Sequence, residues 1–171
     1  MTDSAYDIAL VRIDNRLVHG QILEAWVPFI KARCIVVVND NAAGDFYCET
    51  VIRMAVSSEI EVIINTVDDF AKTFTYSQNS GKKTIVLFAT VADACRAFNL
   101  GFHFDKLNIG NIYNEEYKMC QGTSVFLCDN EIRDLLNLLE NDGVEIGIRR
   151  IPRERAVNIK DIFKDYCEIT P

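Results

Sequence analysis

Ile8-Ala9-Leu10-Val11-Arg12-Ile13-Asp14-Asn15-Arg16-Leu17-Val18-His19-Gly20-Gln21 changes character twice. It starts as a strand-forming apolar run over Ile8 to Ile13 and passes into a polar loop. From Gly20 it gives way to helical spacing, with Ile22, Leu23, Trp26, Val27 and Ile30 on one face. Pro28 is predicted to kink or end that helix. Strand, polar loop and helix make the opening of an α/β unit. In a parallel sheet, the loops at the carboxyl ends of strands are where helix N-termini and free backbone N–H groups converge on a ligand.

The alternation continues outward from that stretch. Cys34-Ile35-Val36-Val37-Val38 is apolar at every position, as a strand covered on both faces should be, and Asn39-Asp40-Asn41 supplies turn chemistry. A helix is predicted from about Asp45 to Val56 with Phe46, Val51, Ile52 and Ala55 inward, and Met54 reads as core. Glu61-Val62-Ile63-Ile64 is the next strand. Val67 to Phe74 reads as helix, Gln78-Asn79-Ser80-Gly81 as loop, Thr84 to Phe88 as strand, and Val91 to Leu100 as a helix ending at Gly101. Lys106-Leu107-Asn108-Ile109 and Ser124-Val125-Phe126-Leu127 are shorter strand candidates. Asp129 is expected to cap a helix, Glu131 to Asn141, with Ile132, Leu135, Leu136 and Leu139 as its stripe and Gly143 as its stop. Val144 to Ile148 adds a strand and Asn158 to Tyr166 a last helix. The pattern predicts an α/β fold: a mostly parallel central sheet of about seven strands with helices on both faces. Residues 1–171 are expected to form a single domain without internal repeat or linker.

Composition narrows the function. The 171 residues are 49% hydrophobic and 25% charged, as in a soluble globular protein. A net charge of -7 argues against gripping nucleic acid or an anionic membrane surface. The six cysteines form no C-x-x-C pair, and Met1 to Asp7 holds neither a basic region nor a cleavable apolar segment. They read as reduced thiols of a cytosolic chain. No apolar run approaches the ~20 residues needed to cross a bilayer. Phosphate-binding patterns of the G-x-x-x-x-G-K-[ST] and G-x-G-x-x-G kinds are missing, and two histidines without clustered cysteines support no metal site. No cofactor is expected.

His19 is the leading candidate for chemistry. Its ring, at the opening of a helix begun by Gly20 and Gln21, could receive a phosphoryl group whose oxygens face free amides and the helix dipole. Arg12 and Arg16 would spread the charge that builds on the equatorial oxygens of an in-line transfer. A neutral imidazole offers the lone pair such attack requires, and nearby guanidinium charges favour that form. Asp14 could orient either arginine, or could hold the second ring nitrogen of His19 and select its tautomer. The plainer reading is that His19 and Arg16 merely cap and solvate a loop. Other loops on the same edge, Asn39-Asp40-Asn41, Thr66, Thr90, Gly110-Asn111 and Asp129, could line the pocket or serve as turns and caps. Asn108-Ile109-Gly110-Asn111 reads as a glycine-containing turn where backbone could approach a phosphate. His103, between Phe102 and Phe104, reads as packing, and Trp26 as core.

The segment from Arg12 to Gln21 closely resembles the active-site segment of the mannose/sorbose-family enzyme IIB subunits of the bacterial phosphotransferase system. The similarity extends through the second strand and Asn39-Asp40, Arg53-Met54-Ala55-Val56, Val86-Leu87-Phe88, Leu107 to Asn111 and Gly143-Val144-Glu145-Ile146. It implies that His19 accepts a phosphoryl group from a phosphohistidine on a separate IIA protein. His19 would then hand it to a sugar brought in by the membrane IIC and IID subunits. It also implies that Arg12 and Arg16 flank the phosphohistidine, that the fold is α/β and mostly parallel, and that the protein is cytoplasmic and peripherally associated with its transport subunits. Asn15 stands where a second acidic or small polar residue is common in such proteins, and Ile112-Tyr113-Asn114-Glu115 departs from the family's pattern. Two other functions fit the same residues: a regulatory phosphoprotein of the same relay that docks to partners, and a small-anion binding module in which His19 forms no bond to phosphorus.

Overall fold

The computed structural model describes residues 6–74, 81–113, 118–119 and 123–167. β1 (Tyr6–Asp14) leads through the His19 loop into a π-helical turn, Gln21–Trp26, continuous with α1 (Val27–Ile30). β2 (Cys34–Val38), α2 (Asp40–Gly44), α3 (Phe46–Ala55), β3 (Glu61–Asn65), α4 (Val67–Thr73), β4 (Lys82–Phe88), α5 (Val91–Asn99) and β5 (Lys106–Asn111) follow. The chain continues with β6 (Lys118–Met119), β7 (Phe126–Leu127), α6 (Asp129–Glu140), β8 (Glu145–Ile148), β9 (Val157–Asn158) and α7 (Ile159–Cys167). A seven-stranded sheet runs β3-β2-β4-β1-β5-β8-β9, parallel throughout except for β9 against β8. The α/β architecture expected from the alternation is therefore present.

Each face of the sheet has its own core. Val36, Val38, Val86, Phe88 and Ile109 meet α4, α5, α6 and α7 through Phe70, Ala94, Leu135 and Phe163. Ile35, Val37, Ile85 and Leu87 meet Ile22, Trp26, Ile52 and Val56 on the other side. Fully burying one such side chain contributes roughly 1.5–3 kcal/mol, which is why β2 and β4 can be apolar without alternation. The connection from β1 leads across β4 to β2, while that from β5 leads the other way to β8. The crevice between the carboxyl ends of β1 and β5 is thus the point where the topology switches direction, the usual place for a ligand in an open α/β sheet.

Several local expectations are corrected. Pro28 does not end its helix. It lies in the first turn of α1, just after the Val27 N–H has bonded back to Ile22 O, and the helix stops at Lys31 in left-handed conformation at φ 60°. A proline cannot donate the next bond of the series, so it marks the change from π to α winding. Asn39-Asp40-Asn41 is a helix start rather than a turn, with the Asn39 side chain accepting from Ala42 N at 2.9 Å. α3 buries Ile52 and, just past its end, Val56, while Phe46, Val51, Met54 and Ala55 are exposed. Cys128, not Asp129, caps α6, because the Glu131 carboxylate accepts from Cys128 N at 3.0 Å. Leu138 replaces Leu136 in that helix's buried stripe. Ser124 to Leu127 contributes β7, paired with β6 in a separate two-stranded sheet, and a single parallel bridge from Val125 to Ile112, while β9 completes the main sheet. The predicted loop at Gln78-Asn79-Ser80 and the departing residues Asn114-Glu115 lie outside the described residues.

Cys34, Cys48, Cys95 and Cys128 are free thiols, and burial pushes Cys34 and Cys95 up to about 12. Among the described residues, no helix is long and apolar enough to cross a membrane.

Candidate functional site

The carboxyl end of β1 folds back on itself through one aspartate. Leu17 N donates to Asp14 O at 2.9 Å and Arg16 N to Asp14 Oδ1 at 3.2 Å, so backbone and side chain of Asp14 together close the turn. Leu17 takes φ 54°, a left-handed conformation that costs a non-glycine residue on the order of 1–2 kcal/mol. Leu17 and Val18 pack on the Trp26 core, which holds the strained turn in place.

Asp14, with no exposed surface, is the hub of the site. It accepts from Arg12 Nη2 at 2.8 Å, Arg16 Nε at 3.0 Å and Arg16 Nη2 at 3.1 Å, and its Oδ2 lies 3.0 Å from His19 Nε2. Burial alone would raise this carboxyl. The bonds from His19 and Arg16 and the charge of Arg12 outweigh burial and hold it well below the ordinary carboxylate range. An ionised carboxylate only accepts, so the proton of a neutral His19 ring sits on Nε2 and the Nδ1 lone pair is left free. Asp14 therefore makes both sets of contacts left open in the sequence, to the arginines and to a ring nitrogen of His19.

Arg12 lies beneath the site, at zero exposure. Its Nη1 donates to Asn108 Oδ1 and to Arg149 O at 2.8 Å, and its Nη2 reaches Arg150 O at 3.2 Å as well as Asp14. Burial lowers its pKa and Asp14 opposes that, and its guanidinium stands 5.4 Å from the centre of the Trp26 ring. Gly110 makes this burial possible: a Cβ there would lie 1.8 Å from Arg12 Nη2. Asn108 to Asn111 is thus not a turn but the end of β5, and the glycine makes room for an arginine. Arg16 differs, with 41% of its side chain exposed. Its Nε and Nη2 bond Asp14, Nη2 also reaches Gln21 Oε1 at 3.1 Å, and Nη1 takes part in none of these bonds.

Asn111 joins the group by another route, donating from Nδ2 to Asn15 Oδ1 at 2.8 Å while Asn15 N donates to Asn111 O at 3.0 Å. Gly20 precedes the helix with nothing within 4 Å of a Cβ built on it, and the His19 carbonyl accepts from Ile22 N and Leu23 N. Asp40 is not brought to His19. Its carboxylate accepts from Val67 N at 2.9 Å and from Arg96 Nη1 at 2.8 Å, bonds that hold it below its ordinary range. Thr66 and Thr90 are helix caps, accepting from Asp69 N at 3.1 Å and Asp93 N at 3.0 Å. His103 packs edge-on against Phe98.

The sequence reading missed the far wall. A cleft of about 460 Å³ beside β8 is lined by Ser124, Arg149, Arg150, Glu154, Arg155 and neighbours, and the backbone of Arg149 and Arg150 is the part Arg12 grips. Trp26, predicted as core, is buried, yet its Nε1 also donates to Arg150 O at 2.9 Å and Arg149 lies 4.9 Å over its ring. The available signal was Asn108, a polar residue inside an apolar strand. Such a residue needs a partner when buried.

Known proteins share this chain's sequence pattern and fold. A family model described as "PTS system sorbose subfamily IIB component" matches residues 8–169. The "PTS system fructose-specific EIIB component" of Bacillus subtilis (strain 168) is 27% identical over 162 residues, 95% of this chain and 99% of that protein. The "PTS system sorbose-specific EIIB component" of Klebsiella pneumoniae is 26% identical over 163 residues, covering 94% and 99%. Among solved structures, that of manxB from Thermoanaerobacter tengcongensis shares the fold with a TM-score of 0.85 at 25% identity, over 96% of this chain and 99% of that one.

Proposed function

The chain belongs to the sorbose-subfamily IIB components of the phosphotransferase system, and from that premise we propose that His19 carries the phosphoryl group on Nδ1. Members of this family are phosphotransferases: they take the phosphoryl group from a IIA protein and pass it to a sugar. The observation that carries the assignment to His19 is the 3.0 Å contact of its Nε2 with buried Asp14, which leaves Nδ1 as the nucleophile.

In the first step the Nδ1 lone pair attacks phosphorus in line. The N–P bond of the donor phosphohistidine breaks, and its electron pair returns to the donor ring. The His19 ring is then cationic and Asp14, 3.0 Å from Nε2, stabilises it without taking the proton. In the second step a sugar hydroxyl oxygen attacks phosphorus, gives its proton to water, and the N–P electron pair returns to Nδ1. Arg16, half-exposed with Nη1 outside the Asp14 contacts, meets the equatorial oxygens. Gly20 and Gln21 offer first-turn N–H groups that have no intrahelical partner. Arg12 is a positioning residue that holds Asp14 from below; Gly110 and Asn111 keep Arg12 and the loop in place. Asp40 supports the neighbouring loops through Val67 and Arg96.

The partners follow from this chemistry. A IIA protein presenting a phosphohistidine docks at the carboxyl end of β1, and membrane IIC and IID subunits present the sugar to the same end. The protein works at the cytoplasmic face of the membrane, held there by those subunits. Incubation with phosphoenolpyruvate, the general phosphotransferase proteins and IIA is expected to give an acid-labile, alkali-stable adduct on wild type and none on His19→Ala. An equal adduct on His19→Ala would overturn the assignment.

A further inference from the structure

α3 is apolar on two opposite sides. At ~100° per residue, Ile52 faces the sheet while Phe46, Tyr47, Val51 and Met54 share the outer side. Those four are 84%, 77%, 50% and 81% exposed. A surface helix with one core face is ordinarily polar on the other, and contiguous exposed apolar side chains mark an interaction site. Thr50, Arg53 and Glu49, on and beside this face, already have partners within the chain. Thr50 donates its hydroxyl to Phe46 O at 2.8 Å, and Arg53 bonds Glu49 at 2.9 Å and Val62 O at 2.7 Å.

We propose that this face binds the same face of a second copy of the chain, with the two α3 helices antiparallel about a two-fold axis through Thr50. A two-fold interface must be self-complementary, and this one is. Phe46 and Met54 lie four residues on either side of Thr50, so the rotation sets each Phe46 ring against a Met54 thioether of the other copy, a favourable pairing. The residue at the crossing point is small and its hydroxyl is satisfied internally, which lets the helices approach. The two aromatics together with Val51 and Met54 present on the order of 500 Å². A pair of copies therefore hides at most ~1,000 Å², the least that a specific interface needs and the size of a weak, reversible one. The face bears no free charge for an oppositely charged partner, while each copy carries -7 overall. Salt that screens this repulsion should strengthen the pairing, the opposite of its effect on docking between complementary charges.

Sedimentation velocity of the full chain across a wide concentration range, at low and high salt, tests the proposal. A monomer–dimer equilibrium that shifts toward dimer with salt is expected. Val51→Lys should weaken self-association by about tenfold or more while leaving His19 phosphorylation, and the thermal melt at concentrations where wild type is monomeric, unchanged. Thr50→Cys should form an interchain disulfide under mild oxidation, whereas Arg133→Cys, on α6 at the opposite face, should not. A chain that stays monomeric at every concentration, or a dimer indifferent to Val51→Lys, overturns the proposal. A monomeric wild type whose phosphoryl transfer falls with Val51→Lys also overturns it and assigns the face to a relay partner instead. These outcomes do not depend on whether His19 carries the phosphoryl group.

Discussion

Two arginine–aspartate clusters stand on the carboxyl edge of the sheet as inverted copies. In one, Asp14, itself at zero exposure, gathers Arg12, Arg16 and His19. In the other, Arg96 gathers Asp40 and Asp68, and all three side chains are between 42% and 46% exposed. Arginine–aspartate pairs build both; the surroundings differ. Water screens the second cluster and competes for its hydrogen bonds, so it contributes little beyond fastening α2, α4 and α5. The first keeps its hub Asp14, and Arg12 beneath it, out of water, where every bond is stronger and every missing one is costly. Burial of the hub is what makes one cluster suited to hold a nucleophile in a fixed tautomer.

The largest break in this comparison should come from Asp14→Asn. Removing the charge leaves Arg12 buried without its counterion, for which about 3–5 kcal/mol of lost stability is expected in a denaturant titration. An asparagine can also present its amide to Nε2 and favour the wrong tautomer, so phosphoryl acceptance should fall on the order of 100-fold or more. The effect of acid has a definite sign. The folded pKa of Asp14 lies below its unfolded value of about 3.9, so its contribution is present above that pH and is lost as pH falls toward the folded value. Stability of wild type should therefore drop steeply below about pH 4. Asp14→Asn should flatten that acid limb; an unaltered limb would remove Asp14 from its role as hub.

Next in size is Gly110→Ala. The added carbon meets the Arg12 guanidinium at 1.8 Å from Nη2 and 2.0 Å from Cζ, and the backbone on either side is held in β5. Arg12 must move, at about 1–3 kcal/mol. The structure predicts that phosphoryl acceptance falls with it, because Asp14 loses its support from below. If thermal unfolding and transfer rate both match wild type, the packing of Arg12 against Gly110 is wrong. The contrasting control is Gly20→Ala, which meets nothing and should leave stability intact.

The legible parts of this molecule were those governed by local pattern. The apolar runs of β2 and β4 gave the buried strands, and the strand-to-helix change around His19 placed the nucleophile. What stayed hidden came from pairing distant segments. Asp40 and Asp14 look alike in sequence, since each follows an apolar strand, and only the fold buries one and exposes the other. Gly110 was read as a close approach to phosphate because the arginine it accommodates lies 98 residues earlier in the chain. Arg149 and Arg150 gave no signal because Arg12 and Trp26 bind their backbone carbonyls, which every residue has. α3 misled the reading because its apolar residues cover two faces, and periodicity cannot say which one the sheet covers.

The smallest effect sharpens the comparison from the exposed side. Arg96→Ala removes both ion pairs of the outer cluster at once, yet each carboxylate it releases is solvated immediately. Asp40 keeps its bond from Val67 N at 2.9 Å, so α4 stays fastened to α2. The melting temperature should fall by less than about 3 °C, and raising the salt concentration in wild type should reproduce most of that loss. Transfer to and from His19 should be unchanged, because none of the bonds of Asp40 or Arg96 runs to the His19 loop. A fall in phosphoryl transfer in Arg96→Ala at unchanged stability would mean that the two clusters act as one site, and that exposure does not separate them.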